Sequence, residues 1–270
     1  MQKLLNQIVW ITGASSGIGE SLAKACAREG AKVVLSARRI DELQRVARET
    51  GLPESDFMVV PMDMEIYDNF PHLVQQVMAR FGKIDYLFNN AGVSSRALAI
   101  ETPVAIDKKM MDINYLGHVA LTKAILPHMI SSRKGHIIIT SSVVGKFGTP
   151  LRSAYAGPKH ALHGFFDTLR EELWDYNIKV TILCPGYIRT DVSVNALNSK
   201  GEKFNRMSKF QAAGMDPDIL ANKVIKAVIK GKREATFGGK EILGIYLHKF
   251  FPRLLYKKLR SMQAKNTFES

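Results

Sequence analysis

Cysteine is scarce in this sequence, and its scarcity excludes two kinds of stabilisation. Only Cys26 and Cys184 occur among 270 residues, they lie far apart, and no histidines cluster beside them. The sequence therefore predicts neither a disulfide framework nor a metal site, and both thiols are expected to be ordinary core residues. Unpaired thiols fit a reducing compartment, so the cytoplasm is the expected location.

Long apolar runs, repeats and linkers are also missing. No stretch approaches the roughly eighteen consecutive apolar residues of a membrane-spanning helix, so none is predicted. The residues before the first apolar segment are too few for a signal peptide, and none is expected. With 46% hydrophobic and 23% charged residues, the composition is that of an ordinary globular protein. We expect one domain over residues 1–240 and a basic, apolar, helical extension over residues 241–270.

Acidic residues are in short supply, and the deficit is uneven. The chain has 38 Lys and Arg against 25 Asp and Glu, and residues 200–270 hold 16 of these bases against 6 of the acids. Such a region could meet nucleic acid, an anionic membrane or an acidic ligand, or be a solvated surface beside a pocket for an anionic cofactor. No nucleic-acid-binding module occurs in the sequence, so no nucleic-acid partner is predicted.

A glycine-rich loop stands near the start of the chain. Residues 7–12 are apolar and predict a buried strand, residues 13–19 are GASSGIG, and residues 20–28 predict a helix. Strand, glycine turn and helix open a dinucleotide-binding fold. The glycines let the backbone approach the pyrophosphate, and the helix N-terminus offers free N–H groups and the positive end of its dipole.

The second strand, expected at residues 32–37, ends where such folds select their cofactor. An acidic residue there would bind the ribose 2′-hydroxyl, but the sequence continues with Arg38 and Arg39. Two guanidinium groups suit a 2′-phosphate, because charge-assisted hydrogen bonds from Arg to phosphate are strong. The alternative is two exposed arginines that open a helix. We predict NADP(H).

Strands and helices alternate along the rest of the chain. Further strands are expected at residues 57–62, 86–89, 135–140, 179–184 and 234–237. Further helices are expected at residues 41–50, 66–81, 107–130, 154–174 and 217–230. This alternation predicts an α/β fold, a doubly wound parallel sheet with helices on both faces. Pro127 is expected to kink or shorten the end of its helix, and the irregular residues 191–215 are expected to form a lid.

Tyr155 and Lys159 form the central pair of the sequence. They lie four residues apart in a predicted helix and therefore project from one face. An ammonium beside a phenol would lower the pKa of Tyr155 and let it pass a proton to or from a substrate oxygen. Ser142, at the end of a strand, is expected to donate a hydrogen bond to that oxygen. Pro158 lies near the helix start, where few backbone bonds depend on it.

Together these motifs resemble the short-chain dehydrogenase/reductase family over about residues 7–239. Residues 12–19 match the TGxxxGxG cofactor loop, residues 89–92 match the NNAG turn, and residues 185–190 match PGxIxT. Four residues fall at the positions of the catalytic tetrad, namely Asn114, Ser142, Tyr155 and Lys159. The resemblance implies a Rossmann-type sheet of seven strands, with a homodimer or homotetramer as the usual assembly.

The resemblance also implies roles for single residues. Tyr155 would be the acid and base, Ser142 would bind the substrate oxygen, and Lys159 would hold the nicotinamide ribose and lower the pKa of Tyr155. Asn114 would help to hold a water that relays protons to Lys159. The implied cofactor-binding set is Gly13, Ser15, Ser16, Gly17, Ile18, Gly19, Arg38, Arg39, Asp63, Met64, Asn90, Ala91, Gly92, Tyr155, Lys159, Pro185, Gly186, Ile188 and Thr190. Within it, Asp63 would contact adenine, Asn90 the adenosine side, and Ile188 with Thr190 the nicotinamide.

The function expected from the resemblance is an NADP(H)-dependent oxidoreductase that interconverts a carbonyl and an alcohol. A non-catalytic NADP(H) sensor is the alternative, but a sensor could lose Ser142, Tyr155 and Lys159 freely, and all are present. A lipid-, steroid- or retinoid-like carbonyl substrate is suggested by apolar residues, unless these are core: Val143, Val144, Phe147, Tyr187 and Met207.

The C-terminal extension carries apolar and basic residues together. Pro252 is expected to separate two short helical segments and to bias Phe251 away from helical angles. Four bases follow at helical spacing and are expected on one side: Lys249, Arg253, Lys257 and Arg260. Such a segment could lie on an anionic membrane surface. Alternatively, its apolar face closes the substrate pocket or packs in an oligomer.

Overall fold

Seven parallel strands form the centre of the structure, a computed structural model that describes residues 2–264. The strands are β1 Ile8–Thr12, β2 Lys32–Ser36, β3 Phe57–Val59, β4 Tyr86–Asn89, β5 Gly135–Thr140, β6 Ile178–Pro185 and β7 Glu234–Phe237. They are ordered β3-β2-β1-β4-β5-β6-β7, and every neighbouring pair is parallel. The predicted Rossmann-type, doubly wound sheet is confirmed.

Helices cover both faces of this sheet. They are α1 Gly17–Arg28, α2 Ile40–Glu49, α3 Phe70–Phe81, α4 Val104–Met111, α5 Gly117–Ser132, α6 Ser153–Glu172, α7 Lys209–Ala212, α8 Pro217–Ile229, α9 Leu243–Phe250 and α10 Pro252–Ala264. A π-helical turn, Asp112–Leu116, joins α4 to α5. The single helix predicted over residues 107–130 is therefore two helices with a widened turn between them.

Two apolar layers, one on each face of the sheet, make the core. Along β1, Val9 and Ile11 face a layer that includes α1 and α8, whereas Ile8 and Trp10 face a layer that includes α3 and α6. Because both faces are covered, every residue of β1 is buried. This explains why the strand is a continuous apolar run and not an alternating one.

The strand order reverses between β1 and β4, and this reversal places the site. β1 pairs with β2 on one side and with β4 on the other, so the connections that leave β1 and β4 diverge to opposite faces. A crevice opens between them at the carboxyl ends of the strands. In open α/β sheets this is where ligands bind.

Two prolines lie inside helices. Pro127 does not shorten its helix, since α5 continues to Ser132, and the kink expected as the alternative stays a prediction. Buried side chains on both sides of Pro127, Ile125 and Met129, pack against the sheet and hold the helix in place despite the lost hydrogen bond. Pro158 lies inside α6, which runs on to Glu172 without a break, so Tyr155 and Lys159 share one helix.

The extension folds back onto the body of the protein. As predicted, two helices meet at Phe251, whose φ of −137° is extended and not helical. Leu255 packs on Val143 and Phe147, which follow β5. Lys249 lies on α9, so it does not share a helix with the three later bases. None of the described helices has the length and apolar character to cross a membrane. The last residues of the extension, 265–270, lie outside the described part of the chain.

Candidate active site

A cavity of about 670 Å³ opens at the carboxyl ends of the strands. Its walls come from the loops that follow β1 to β6. All four residues of the predicted tetrad line this cavity, and so does every residue of the predicted cofactor set except Gly19. The structure therefore gathers residues that the sequence distributes over residues 13–190.

Gly19 serves packing instead. A Cβ added there would lie 2.1 Å from the carbonyl oxygen of Gly13, so only glycine lets α1 start this close to β1. Gly17 has a φ of +57°, and a Cβ on it would lie 3.0 Å from Thr190 on the opposite wall. α1 begins at Gly17 and not at residue 20 as predicted, so the free N–H groups of its first turn belong to the glycine loop itself.

Thr12 ties the end of β1 to the turn after β4. Its buried Oγ1 accepts hydrogen bonds from the backbone N–H groups of Asn90 and Ala91, both at 3.0 Å, and donates to Phe88 O at 3.3 Å. The Asn90 amide donates in return to Thr12 O at 3.2 Å, and its Oδ1 accepts from Thr140 at 3.3 Å. Asn90 lines the cavity, but its side chain joins β1, β4 and β5. Thr12 belongs to the predicted cofactor-loop motif, but sequence reasoning gave it no role of its own because it is the last residue of an apolar strand.

His118, on α5, supports the same turn and was also missed. It is fully buried, and its Nε2 lies 2.9 Å from Ala91 O. Burial, and secondarily the charge of Lys159, lower the pKa of His118 to about 3, so the ring is neutral. Because a carbonyl can only accept, Nε2 carries the proton. Nothing in the sequence distinguishes this histidine from the other six.

Asn114 is brought to the cavity by the π-helical turn. Its Oδ1 accepts from Val93 N at 3.1 Å and its Nδ2 donates to Met110 O at 3.1 Å. A Cβ on Gly92 would lie 2.7 Å from Asn114 Oδ1 and 3.8 Å from Lys159 Nζ, so these groups are close neighbours. π-helical turns are frequent at functional sites, and this one was not predicted because the segment has an ordinary helical pattern.

Ser142, Tyr155 and Lys159 lie on one wall. Lys159 Nζ donates to Thr140 O at 2.8 Å and lies 5.7 Å from the centroid of the Tyr155 ring. Ser142 Oγ accepts from Val144 N at 3.2 Å, which fixes the hydroxyl at the end of β5. An acid, a cation and a hydroxyl therefore meet beside the cavity, in an arrangement that can bind an oxygen and move a proton.

The electrostatics of this wall differ from the expectation. Burial raises the pKa of Tyr155, and the opposing influences are the Arg152 guanidinium and the Ser142 hydroxyl. Burial also lowers the pKa of Lys159 to about 8. In the protein alone, Lys159 is thus a weakened cation that points at a carbonyl, and the pKa of Tyr155 is not lowered by it.

The cofactor-selecting corner is basic. Arg38 is exposed, with its Nη1 4.0 Å from Asp63 Oδ2, a loose ion pair. Arg39 Nη2 donates to the hydroxyls of Ser15 at 3.1 Å and Ser16 at 3.0 Å. Guanidinium and hydroxyl donors therefore surround the position after β2, with the Asp63 carboxylate beside Arg38.

The turn after β6 is held by a residue from the extension. Glu241 Oε1 accepts from Tyr187 N and Gly239 N, both at 3.0 Å. A Cβ on Gly186 would lie 2.1 Å from the same oxygen, so glycine is required beneath this carboxylate. Glu241 lies outside every motif, and only the fold reveals its role.

The apolar residues proposed from the sequence to face the substrate do not do so. Val143 and Phe147 are buried beneath α10, and Val144, Tyr187 and Met207 are absent from the cavity wall. Apolar residues that do line the wall outside the predicted cofactor set include Val93, Ile113, Val192 and Leu197. Two of these lie in the expected lid, whose Leu197 N donates to Ser94 O at 2.8 Å.

Comparisons with known proteins agree with this geometry. A family model described as short chain dehydrogenase matches residues 7–201. The chain is 39% identical over 282 aligned residues to the Drosophila melanogaster "Dehydrogenase/reductase SDR family protein 7-like", covering 98% of this chain and 86% of that protein.

Solved structures share the fold. A short-chain dehydrogenase from Streptomyces avermitilis superposes with a TM-score of 0.81 at 25% identity, covering 97% of each chain. An alcohol dehydrogenase from Thermococcus sibiricus, complexed with 5-hydroxy-NADP, gives a TM-score of 0.71 at 24% identity over 87% of this chain and 97% of that chain. A short chain dehydrogenase/reductase from Burkholderia phymatum, in complex with NAD, gives 0.76 at 22% identity over 87% and 90%.

Replacing Thr12 by Val should destabilise the protein while keeping the shape of the side chain. Two part-buried N–H groups would lose their acceptor, at about 1–2 kcal/mol each, so we expect the free energy of unfolding to fall by about 2–4 kcal/mol. Thr12→Ser keeps the hydroxyl and should lose only about 1 kcal/mol for the methyl group. Urea unfolding would measure both, and equal stability of the two variants would contradict the role of the hydroxyl.

Proposed function

This chain belongs to the short-chain dehydrogenase family, and we propose that it is an NADP(H)-dependent member that interconverts a carbonyl and an alcohol. Membership makes it an oxidoreductase by family. One observation carries the proposal further: Ser142, Tyr155 and Lys159 converge on one wall of the cavity whose far end holds the glycine loop and two arginines. An oxygen-binding, proton-moving group thus shares a cleft with a site suited to a dinucleotide phosphate.

The cavity fits a nicotinamide dinucleotide. Gly17 lies so close to Thr190 that a Cβ on residue 17 would crowd the Thr190 side chain. The free N–H groups at the start of α1 provide a favourable environment for an anion. A bound nicotinamide would supply or accept the hydride. The residues that would hold it are those of the glycine loop, the corner at Arg38, the turn at Asn90, Lys159 and the turn from Pro185 to Thr190.

The chain's own residues would handle the oxygen. In the direction of reduction, the Tyr155 hydroxyl gives its proton to the carbonyl oxygen and becomes a phenolate. In oxidation, the phenolate takes the proton of the alcohol. The Ser142 hydroxyl donates a hydrogen bond to the same oxygen and fixes its position. Lys159 holds the sugar of the cofactor, and Asn114 fixes the water through which the proton is replaced.

NADP(H) is favoured over NAD(H) by charge. Structures of this fold hold an NADP derivative in one case and NAD in another, so the fold itself does not choose. In this chain the position that would need a carboxylate for the ribose 2′-hydroxyl is Ala37, and Arg38 follows it. A 2′-phosphate would complement Arg38 and Arg39.

The substrate is proposed to be apolar around its carbonyl, as in a lipid, steroid or retinoid. The support is the wall of Val93, Val192 and Leu197. A non-catalytic NADP(H) sensor is the second candidate, and it differs by binding cofactor without turnover. We also propose a homodimer or homotetramer, which would cover large exposed side chains such as Ile100 and Trp174.

The extension is proposed to touch an anionic membrane from the outside. Its inner face packs on Val143 and Phe147, and its outer face exposes apolar and basic side chains together. The exposed apolar side chains are Leu243, Tyr246, Phe250, Phe251 and Leu254, and the exposed bases are Lys249, Arg253, Lys257, Lys258 and Arg260. In the described part of the chain no carboxylate forms an ion pair with these bases. The packing of the inner face also supports the alternative that the extension closes the substrate pocket. Because the two roles use opposite faces of the extension, they are compatible.

Tyr155→Phe tests the enzyme proposal. The ring is kept and the proton donor is lost, so turnover should fall by about a hundred- to ten-thousandfold while NADPH binding is unchanged. An NADPH-oxidation screen over ketones and aldehydes supplies the substrate, and fluorescence titration measures cofactor binding. Near-normal turnover of the variant would remove Tyr155 from the mechanism, and the absence of any turnover in the unmutated protein would favour the sensor.

Arg38→Asp tests the choice of cofactor. The carboxylate would repel a 2′-phosphate and accept from a ribose hydroxyl, so the Kd for NADPH should rise about ten- to hundredfold and NADH binding should improve. Arg48→Asp is the matched control, because it makes the same charge change at an exposed position of α2 away from the cavity. Equal affinity of the unmutated protein for NADPH and NADH would refute the assignment.

Charge reversal on α10 tests the membrane contact. Lys257→Glu with Lys258→Glu should reduce co-sedimentation with anionic phosphatidylserine vesicles, since each base near such a surface contributes about 1 kcal/mol. Lys223→Glu with Lys226→Glu, on exposed positions of α8, is the matched control and should bind as the unmutated protein does. Raised salt should weaken the binding. If both double variants lost vesicle binding equally, or if the unmutated protein did not bind vesicles, the membrane contact would be refuted. The extension would then close the pocket or pack in an oligomer.

A further inference from the structure

The half-buried side chain of Arg152 lies one turn before Tyr155. Arg152 directly precedes α6, and its carbonyl accepts from Tyr155 N at 3.1 Å and from Ala156 N at 2.7 Å. Its side chain turns the other way, into the protein. Nη1 donates to the Ser94 hydroxyl and, at 3.0 Å, to Ser95 O, both of them buried in the loop after β4.

This cation is fixed in place from several directions. Leu151, the preceding residue, has a φ of +64°, an unusual angle for a side chain larger than that of glycine. Its carbonyl accepts from Ala97 N at 3.2 Å, so a second contact joins the same two loops. Leu197 of the lid donates to Ser94 O. The start of α6, the loop after β4 and the lid therefore meet at Arg152.

Arg152 has no acidic partner among residues 2–264. None of the ion pairs within this range includes it, although its guanidinium cannot lose its proton at any ordinary pH. The groups within its electrostatic reach are the phenols of Tyr155 and Tyr187. An enclosed charge without a counter-ion is costly, so it is expected to meet negative charge at some point in the working cycle.

The other groups around Tyr155 are less suited to stabilise a negative charge on its phenol oxygen. Lys159 donates to Thr140 O, and burial lowers its pKa to about 8. Ser142 is neutral. Burial raises the pKa of Tyr187, while Arg152 and Arg96 oppose that increase and Glu241 adds to it. Of these groups, Arg152 is the fixed cation that acts on Tyr155.

We propose that Arg152 is a positioning residue for Tyr155: anchored on Ser94 and Ser95, it orients the first turn of α6 and holds a permanent positive charge within reach of the phenolate. When Tyr155 gives its proton to the substrate oxygen, the O–H bond of the phenol breaks and its electron pair stays on Oη as negative charge. Arg152 stabilises that charge until the phenolate regains a proton from solvent. The inference rests on the role proposed for Tyr155.

The titration of Tyr155 in the cofactor-free protein tests this inference without any turnover. The chain has eight tyrosines, and labelling them with carbon-13 at Cζ lets NMR follow each phenol through its titration. The Tyr155 signal is the one that Tyr155→Phe removes. In Arg152→Gln this signal should titrate at higher pH than in the unmutated protein. Arg152→Lys keeps the charge and should restore most of the difference.

Arg80→Gln is the matched control, because Arg80 is exposed on α3 and does not line the cavity. Its Tyr155 signal should titrate as in the unmutated protein. Once a substrate is available, the activity of Arg152→Gln in alcohol oxidation should rise at higher pH, because oxidation needs the phenolate. At neutral pH kcat should fall about tenfold for each unit by which the titration moves, with the KM for cofactor unchanged.

An unchanged Tyr155 titration in folded Arg152→Gln would overturn the proposal. If that variant does not fold, Ser94→Ala takes its place, because it removes the anchoring hydroxyl and keeps the charge. The Tyr155 titration should then also move to higher pH, and a titration equal to that of Arg80→Gln would overturn the proposal. A failure to find any substrate would count against the proposed function alone, because the NMR measurement requires neither substrate nor cofactor.

Discussion

The reversal of strand order between β1 and β4 is the constraint on which the site depends. Where the connections after two neighbouring parallel strands go to opposite faces of the sheet, a gap is left at the carboxyl ends of those strands. The Thr12 hydroxyl, at the end of β1, ties the turn after β4 to the sheet by accepting two of its N–H groups. Asn90 extends it to β5. The groups that line the crevice are therefore positioned by buried hydrogen bonds beneath it.

Unbalanced positive charge is the second organising feature. The cavity wall carries six bases, Arg38, Arg39, Lys109, Lys159, Arg189 and Lys203, against two acids, Asp63 and Asp191. Deeper in, Lys159 and Arg152 are enclosed without a carboxylate of their own in the described chain. Buried charges that lack partners are costly, which is why they are found where a ligand or a reaction supplies the opposite charge. The exposed bases suit an anionic ligand, and the enclosed ones suit the negative charge of a phenolate at Tyr155.

The sequence predicted the fold and many of the residues that line the cavity, because those predictions rest on local patterns. A buried strand, a glycine turn and a four-residue spacing are all visible within about twenty residues. What it missed depends on contacts between distant segments. The π-helical turn at Asn114 is invisible in a helical pattern, and Glu241 supports Gly186 from across the fold. Likewise, Val143 and Phe147 look like pocket residues until Leu255 is seen to cover them. The four-residue spacing predicts a lowered pKa for Tyr155, whereas burial, a three-dimensional property, raises it, and the groups that oppose burial are Arg152 and Ser142.

The C-terminal extension supports the cavity with its inner face and exposes apolar and basic side chains on its outer face. Glu241 holds the turn after β6, and Leu255 covers the loop that follows Ser142, so the inner face of this segment supports two walls of the cavity. Its outer face carries exposed aromatic and basic side chains that the inner packing does not need. A short helix whose inner side chains are locked cannot reorient without moving them. Leu255 therefore joins α10 to the loop that follows Ser142 by direct packing.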